Sequence, residues 1–286
     1  MAGYDGDAFR GAYEKVLAKW PADREALSIP TPHGAARVNA CGPRDAPPLL
    51  LLPGGDGSTS VSWYAQAGRL AATHRVYAAD LPCAPGFSTP DPGRHLKTLA
   101  DLNGWLDALF DGLGLTSAHL GGHSYGAWIA LQYTLRAPDR VRSLFLLDPT
   151  QCFTGYRTSY LLHALPMLLR PTPNRVRAFL TWESQGATLD PDWLRLQEAA
   201  AGFPTGKPVT GPRPTPAALH SLQLPVLVAT AGQSKPHDPA KVTSGAKTLL
   251  PHATTTTLPN LSHHVPPPAA PPTLTDRLVD FLGDGG

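Results

Sequence analysis

Short, wholly apolar runs recur along the chain and set its period. They are Leu49-Leu50-Leu51-Leu52, Val76-Tyr77-Ala78-Ala79, Leu144-Phe145-Leu146-Leu147 and Pro225-Val226-Leu227-Val228-Ala229-Thr230, with a further run ending at Leu120-Gly121. None alternates with polar residues, so each predicts a strand covered on both faces. Helical stretches separate them, which implies a mostly parallel central sheet flanked by helices on each side, an α/β architecture. Thr254–Leu258 predicts a weaker last strand and Leu274–Leu282 a closing helix. Ahead of the first run, Phe9, Tyr13, Val16, Leu17 and Trp20 lie near helical spacing, so residues 1–20 read as an amphipathic helix. Glu25–Ser28 and Ala36–Ala40 form two short alternating segments, a hairpin turning at Thr31-Pro32-His33-Gly34.

The rhythm breaks over residues 150–220. Helical pieces (Tyr160–Leu169, Arg175–Trp182, Asp192–Ala200) are joined by Pro-rich connectors, between two core strands. The predicted organisation is a core of residues 1–149 and 221–286 with a helical cap inserted at 150–220. The apolar content of the insertion, Leu161, Leu162, Leu165, Met167, Leu168, Phe179, Trp182 and Trp193, argues against a linker and for a wall that shapes a pocket and excludes water. Trp182 and Leu165 are the expected lining residues. Arg170, Arg175 and Arg177 read as a solvated face.

Composition narrows the function. A net charge of +2, with charged residues at only 16%, gives no reason to expect a nucleic-acid partner. Cys41, Cys83 and Cys152 are odd in number and scattered, which indicates neither a disulfide framework nor a zinc site. No apolar run approaches the roughly 20 residues of a membrane span. The first residues lack the basic start and apolar core of a signal peptide, so the expectation is a cytoplasmic protein. The prolines cluster outside the predicted strands, as punctuation rather than disorder.

The chemistry begins at Gly122-His123-Ser124-Tyr125-Gly126. The preceding run ends a buried strand, and Ala127-Trp128-Ile129-Ala130-Leu131-Gln132-Tyr133-Thr134-Leu135, free of Gly and Pro, opens a helix. A serine on so tight a strand-to-helix turn has a strained backbone and an outward hydroxyl. Glycines flank it because larger side chains would strike the neighbouring elements. Ser124 is therefore the candidate nucleophile, and the N–H of Tyr125 a candidate oxyanion donor. A serine needs a base, to be sought after the last core strand, where Leu258-Pro259-Asn260-Leu261-Ser262-His263-His264-Val265-Pro266 lies.

Leu52-Pro53-Gly54-Gly55, Asp80-Leu81-Pro82 with Gly86-Phe87-Ser88, the Ser124 turn, Ala137-Pro138-Asp139-Arg140-Val141 and the His263 segment together resemble the α/β-hydrolase superfamily of esterases and lipases, from about residue 30 onward. The resemblance implies His263 as the base, since the family places it directly after a small residue, here Ser262. His264 is expected at the surface. It also implies Gly55 as the second oxyanion donor, although the chain carries Pro53-Gly54 where relatives usually have His-Gly. Asp56 is expected to cap the following helix or face solvent, and Asp80 to be structural.

The acid is where the chain departs from the pattern. The family's commonest acid lies three residues past the glycine that ends the strand after the cap. Here that strand ends Ala231-Gly232-Gln233-Ser234-Lys235. A lysine accepts no imidazole N–H, and Lys235 is expected to point to solvent. Asp148, at the end of the strand before the cap, is the expected substitute, since neighbouring strand ends of a parallel sheet lie near 5 Å apart and an Asp one strand over can still reach the His; the alternative is Asp238, whose Asp-Pro context is also a helix N-cap signature. The absence of any acid is the third possibility. The expected activity is a serine hydrolase cleaving an ester or thioester of a small, apolar acyl substrate through an acyl-enzyme, with no metal or organic cofactor. The alternatives are a biosynthetic thioesterase or acyl cyclase, and a non-hydrolytic catalyst or binder on the same fold.

Overall fold

The structure, a computed structural model, describes residues 4–55, 57–264 and 272–283. Asp56 and the Val265-Pro266 end of the histidine segment lie outside the described residues. The chain begins with α1 (Gly6–Leu17), the hairpin β1 (Glu25–Thr31) and β2 (Gly34–Cys41), then β3 (Pro48–Leu52), α2 (Tyr64–Leu70), β4 (Arg75–Ala79) and the short β5 (Thr89–Pro90). It continues through α3 (Leu99–Gly112), β6 (Ala118–His123), α4 (Tyr125–Arg136) and β7 (Val141–Leu147). Four helices follow before the sheet resumes: α5 (Thr158–Leu169), α6 (Pro173–Glu183), α7 (Pro191–Ala199) and α8 (Pro216–His220). β8 (Val226–Ala231), α9 (Pro239–Leu249), β9 (Ala253–Leu258) and α10 (Pro272–Gly283) complete it.

The strands order as β1-β2-β4-β3-β6-β7-β8-β9, with β5 paired to β2. Pairings from β4 through β9 are parallel, and those of β1, β2 and β5 antiparallel. Alternate leucines of β3 explain the unbroken apolar runs. Leu49 and Leu51 pack on one side with α1, α2 and α10, while Leu50 and Leu52 pack on the other with Trp105 and Leu106 of α3 and Ile129 of α4. Among the described residues, no helix is long and apolar enough to cross a membrane.

Proline serves as a helix start. Thr172, Asp190, Thr215 and Asp238 each cap a helix whose first residue is Pro, and each accepts from backbone N–H groups with its side chain. The fixed proline φ suits that first position, and its missing N–H costs nothing there. Asp80 is buried and accepts from the N–H and hydroxyl of Ser60, the Tyr13 hydroxyl and the N–H of Phe87. It thereby ties α1 to the loops after β3 and β4.

β3 and β6 are neighbours, and the chain leaves β3 toward β4 on one side but β6 toward β7 on the other, which opens a crevice between them at the strands' carboxyl ends. Ligands of open parallel sheets bind at such a switch point. The Gly54-Gly55 loop and Ser124 both flank it. The crossing of α4 over β3 is tight: a Cβ on Gly126 would lie 2.3 Å from the Pro53 carbonyl oxygen and 2.5 Å from that of Leu52. Backbone atoms cannot swing aside as side chains do. Gly126→Ala should therefore lower stability by about 1–3 kcal/mol. Gly104→Ala, inside α3 with no atom within 4 Å of the added Cβ, should raise it by roughly 1 kcal/mol. Paired thermal melts check both; equal midpoints would contradict this packing.

Candidate active site

β6 ends in a turn that brings Ser124 to φ 53°, ψ −114°, a left-handed backbone that L-residues avoid. Three backbone hydrogen bonds hold it there. The Ser124 N–H donates to the Leu147 carbonyl at 3.0 Å, and its own carbonyl accepts from Ala127 and Trp128. Gly122 and Gly126 permit the turn, since a Cβ on Gly122 would come within 2.3 Å of the Gly126 backbone. The hydroxyl Oγ stands 2.8 Å from Nε2 of His263, in the loop after β9.

His263 is buried and held through its backbone as well as its ring. Its N–H donates to Glu183 Oε1 at 3.2 Å, and that of His264 to Oε2 at 3.1 Å. Its carbonyl accepts from His123 Nε2 at 2.8 Å. A carbonyl only accepts, so Nε2 carries the His123 proton. Burial, with the neighbouring His263, lowers the pKa of His123 to about 3, which keeps the ring neutral. Burial raises the pKa of Glu183, while the charge on His263 and the two N–H donors work the other way.

Asp148 closes the line. It follows β7 with φ 40°, and its N–H donates to the Ala229 carbonyl at 2.7 Å. Oδ2 lies 2.5 Å from His263 Nδ1 and accepts from the Ser234 hydroxyl at 2.7 Å. Oδ1 accepts from the Ala231 N–H and from His237 Nε2, each at 3.0 Å. Complete burial alone would raise its pKa. Hydrogen bonds and charge from His237 and His263 outweigh that and hold the carboxyl well below the usual range.

Asp238 is elsewhere. It caps α9 through the N–H groups of Ala240 and Lys241 and pairs with Arg157 at 3.5 Å. Lys235 is half-buried, with its ammonium 4.2 Å from the ring centroid of the equally half-buried Trp182, whose aromatic face attracts a cation. His264 departs from expectation. It is buried beside His263 and Phe179, since the Glu183 contact pulls this segment inward.

Ser124, Gly55 and Tyr125 line one cavity of about 330 Å³. The Tyr125 N–H opens α4, where helix amides have no intrahelical acceptor. Its phenol donates to the Val209 carbonyl at 2.6 Å. The apolar wall comes from Tyr156, Tyr160, Met167, Leu168 and Val176 of the inserted segment, with Phe203. Trp182 and Leu165 are not part of it. Trp182 stacks on His163 with centroids 4.0 Å apart, and Leu165 is exposed, because α5 turns Tyr160, Ala164 and Met167 inward instead.

The sequence pattern missed His123, Glu183, Ser234 and His237. His123 occupies the variable position before Ser124. Ser234 and His237 lie in the very loop where the family's acid was sought, and a serine and a histidine three apart beside the misplaced lysine were a usable signal. Glu183, alone in an inserted helix, had none.

A model of the alpha/beta hydrolase family matches residues 49–276. The chain belongs to this family. Among α/β hydrolases, it is 28% identical to carboxylesterase YbfK of Bacillus subtilis (strain 168), over 98% of this chain and 95% of that protein. The crystal structure of that esterase, CesB (YbfK), superposes with a TM-score of 0.88, covering 97% of this chain and 98% of the other. The crystal structure of naproxen esterase (carboxylesterase NP), also from Bacillus subtilis, does so with the same TM-score at 27% identity and the same coverage. The mostly parallel sheet flanked by helices is thus the α/β-hydrolase fold.

Asp148 receives four donors inside the protein, whereas Asp238 sits at a partly exposed helix end. An Asn at 148 would turn an NH₂ toward groups that themselves donate. Asp148→Asn should lose on the order of 1–3 kcal/mol of stability at neutral pH, and Asp238→Asn only a few tenths, because Asn also caps. The native carboxyl titrates below its unfolded value of about 3.9, so its contribution is present above that pH and lost as pH falls through the native value. The gap between wild type and Asp148→Asn should therefore close below about pH 4. Denaturant titrations across pH check it; a gap independent of pH would contradict it.

Proposed function

We propose that this α/β hydrolase is a serine carboxylesterase working through an acyl-enzyme on Ser124. The observation that carries the reading is the continuous hydrogen-bonded line Ser124 Oγ, His263 Nε2, His263 Nδ1, Asp148 Oδ2, whose serine end opens into the cavity. The names of the two Bacillus esterases favour an oxygen ester over the thioester alternative. In this reading Asp148, not Asp238, is the acid, residues 150–220 are a cap, and residues 1–149 and 221–286 are the core.

Ser124 Oγ attacks the acyl carbon while His263 Nε2 takes its proton. The resulting oxyanion accepts from the N–H groups of Gly55 and Tyr125. Its collapse breaks the bond to the alkoxy oxygen, which takes the proton from His263 and leaves as the alcohol. Water, losing a proton to His263, then attacks the acyl carbon. The carboxylic acid departs as Ser124 recovers its proton. Asp148 stays ionised, fixes Nδ1 as the protonated nitrogen and stabilises the imidazolium.

A fluorophosphonate should label wild type at Ser124, located by peptide mass mapping. Ser124→Ala should abolish labelling and lower turnover of a p-nitrophenyl ester by on the order of 10⁶. Retention of more than a small fraction of the activity would overturn the acyl-serine route. The apolar wall predicts an acyl chain-length preference, since one buried methylene is worth about 0.8 kcal/mol, a several-fold change per carbon. Met167→Ala, which enlarges the cavity, should move the optimum to longer or bulkier acyl groups. A profile that is flat and unchanged by the substitution would count against an apolar acyl site.

A further inference from the structure

Helix α5 carries an outward apolar face. Leu161, Leu162, Leu165, Leu168 and Leu169 fall at i, i+1, i+4, i+7 and i+8, which is one stripe along a helix. They are 46%, 64%, 45%, 55% and 75% exposed. The opposite stripe, Tyr160, Ala164 and Met167, is buried in the core, so α5 is apolar on both sides. The remaining exposed large hydrophobics among the described residues are Tyr4 and Tyr156, and Tyr156 lies just before this helix. Scattered exposed leucines are ordinary, but a contiguous stripe marks a surface that meets something apolar.

Charge says what that is. Residues 149–182 hold Arg157, Arg170, Arg175 and Arg177, all exposed, and no Asp or Glu, in a chain whose net charge is +2. Arg157 precedes α5 and Arg170 follows it. Arg175 donates to the carbonyls of Pro166 and Arg170, which sets its guanidinium at the same end. Arg157 and Arg177 meet Asp238 and Glu198, whereas Arg170 and Arg175 have no carboxylate partner among the described residues. Leucines bracketed by arginines suit an interface where acyl chains lie beneath anionic headgroups. A second copy laid on this stripe would set one cationic rim against another. The stripe is also continuous with the cavity: Leu168, Tyr156 and Pro171 line the space that contains Ser124.

We infer that α5 docks the protein on anionic lipid surfaces and that ester substrates enter the Ser124 cavity from that surface. The entry of substrate rests on the esterase reading; the docking does not. Flotation with phosphatidylcholine vesicles, with and without phosphatidylglycerol, tests it on the full chain. Wild type and Ser124→Ala should float alike with the anionic vesicles and much less with the zwitterionic ones. Leu162→Glu with Leu169→Glu should weaken this binding at least about tenfold, and Arg170→Glu about fivefold or more. None of these three residues lines the cavity, so these surface variants should hydrolyse a short, water-soluble ester at the wild-type rate. That rate alone tests the catalytic reading. Wild type that stays unbound, or leucine variants that bind as well as wild type, would overturn the docking. So would a wild-type dimer in analytical ultracentrifugation that the leucine substitutions dissociate, which would give the face to a second copy.

Discussion

The Asp148 carboxylate is the point at which the ends of three strands are made to agree. It follows β7, accepts from Ala231 at the end of β8 and from Ser234 and His237 beyond it, and faces His263 beyond β9. A buried anion is tolerable only when its lone pairs are filled. Four donors fill them here, and together they fix where the imidazole can stand. Ser124 is registered to the same point, because its N–H bonds to the residue just before Asp148. The separation of Ser124, His263 and Asp148 is thus set by sheet hydrogen bonding rather than by flexible side chains.

A second buried carboxylate works from the opposite side. Glu183 ends α6 in the inserted segment, yet it accepts the backbone N–H groups of His263 and His264. A helix whose neighbours wall the cavity therefore also steadies the histidine loop. Two carboxylates near one imidazole divide the labour by position. Asp148 meets the ring nitrogen, while Glu183 meets only the main chain.

Much of this was legible because it depends on local pattern. Two-faced strands show as unbroken apolar runs, helix starts as Thr-Pro or Asp-Pro, and the Ser124 turn as spaced glycines. The preference for Asp148 over Asp238 was legible only through the general adjacency of strand ends in a parallel sheet, because it turns on which strand ends lie side by side. Glu183 and His237 were hidden for the same reason, being joined to the site across 80 or more residues. The apolar content of the segment between β7 and β8 is legible, but the directions of its side chains are not. Leu165 looked equivalent to Met167 until the rotation of α5 decided which stripe faced inward, and Trp182, on α6, stacks on His163 instead of facing the cavity. Lys235, a misfit at the family's usual acid position, finds its place on the Trp182 ring, a contact that no local spacing reports.

The turnover of Asp148→Asn beside that of Asp238→Asn, on one soluble ester and with the fold verified by circular dichroism, tests the central role of Asp148 most directly. Loss of the carboxylate that fixes the imidazole tautomer should lower kcat by on the order of 10⁴ for Asp148→Asn, with Asp238→Asn close to wild type. The reverse ranking, or a folded Asp148→Asn with near-normal kcat, would contradict it.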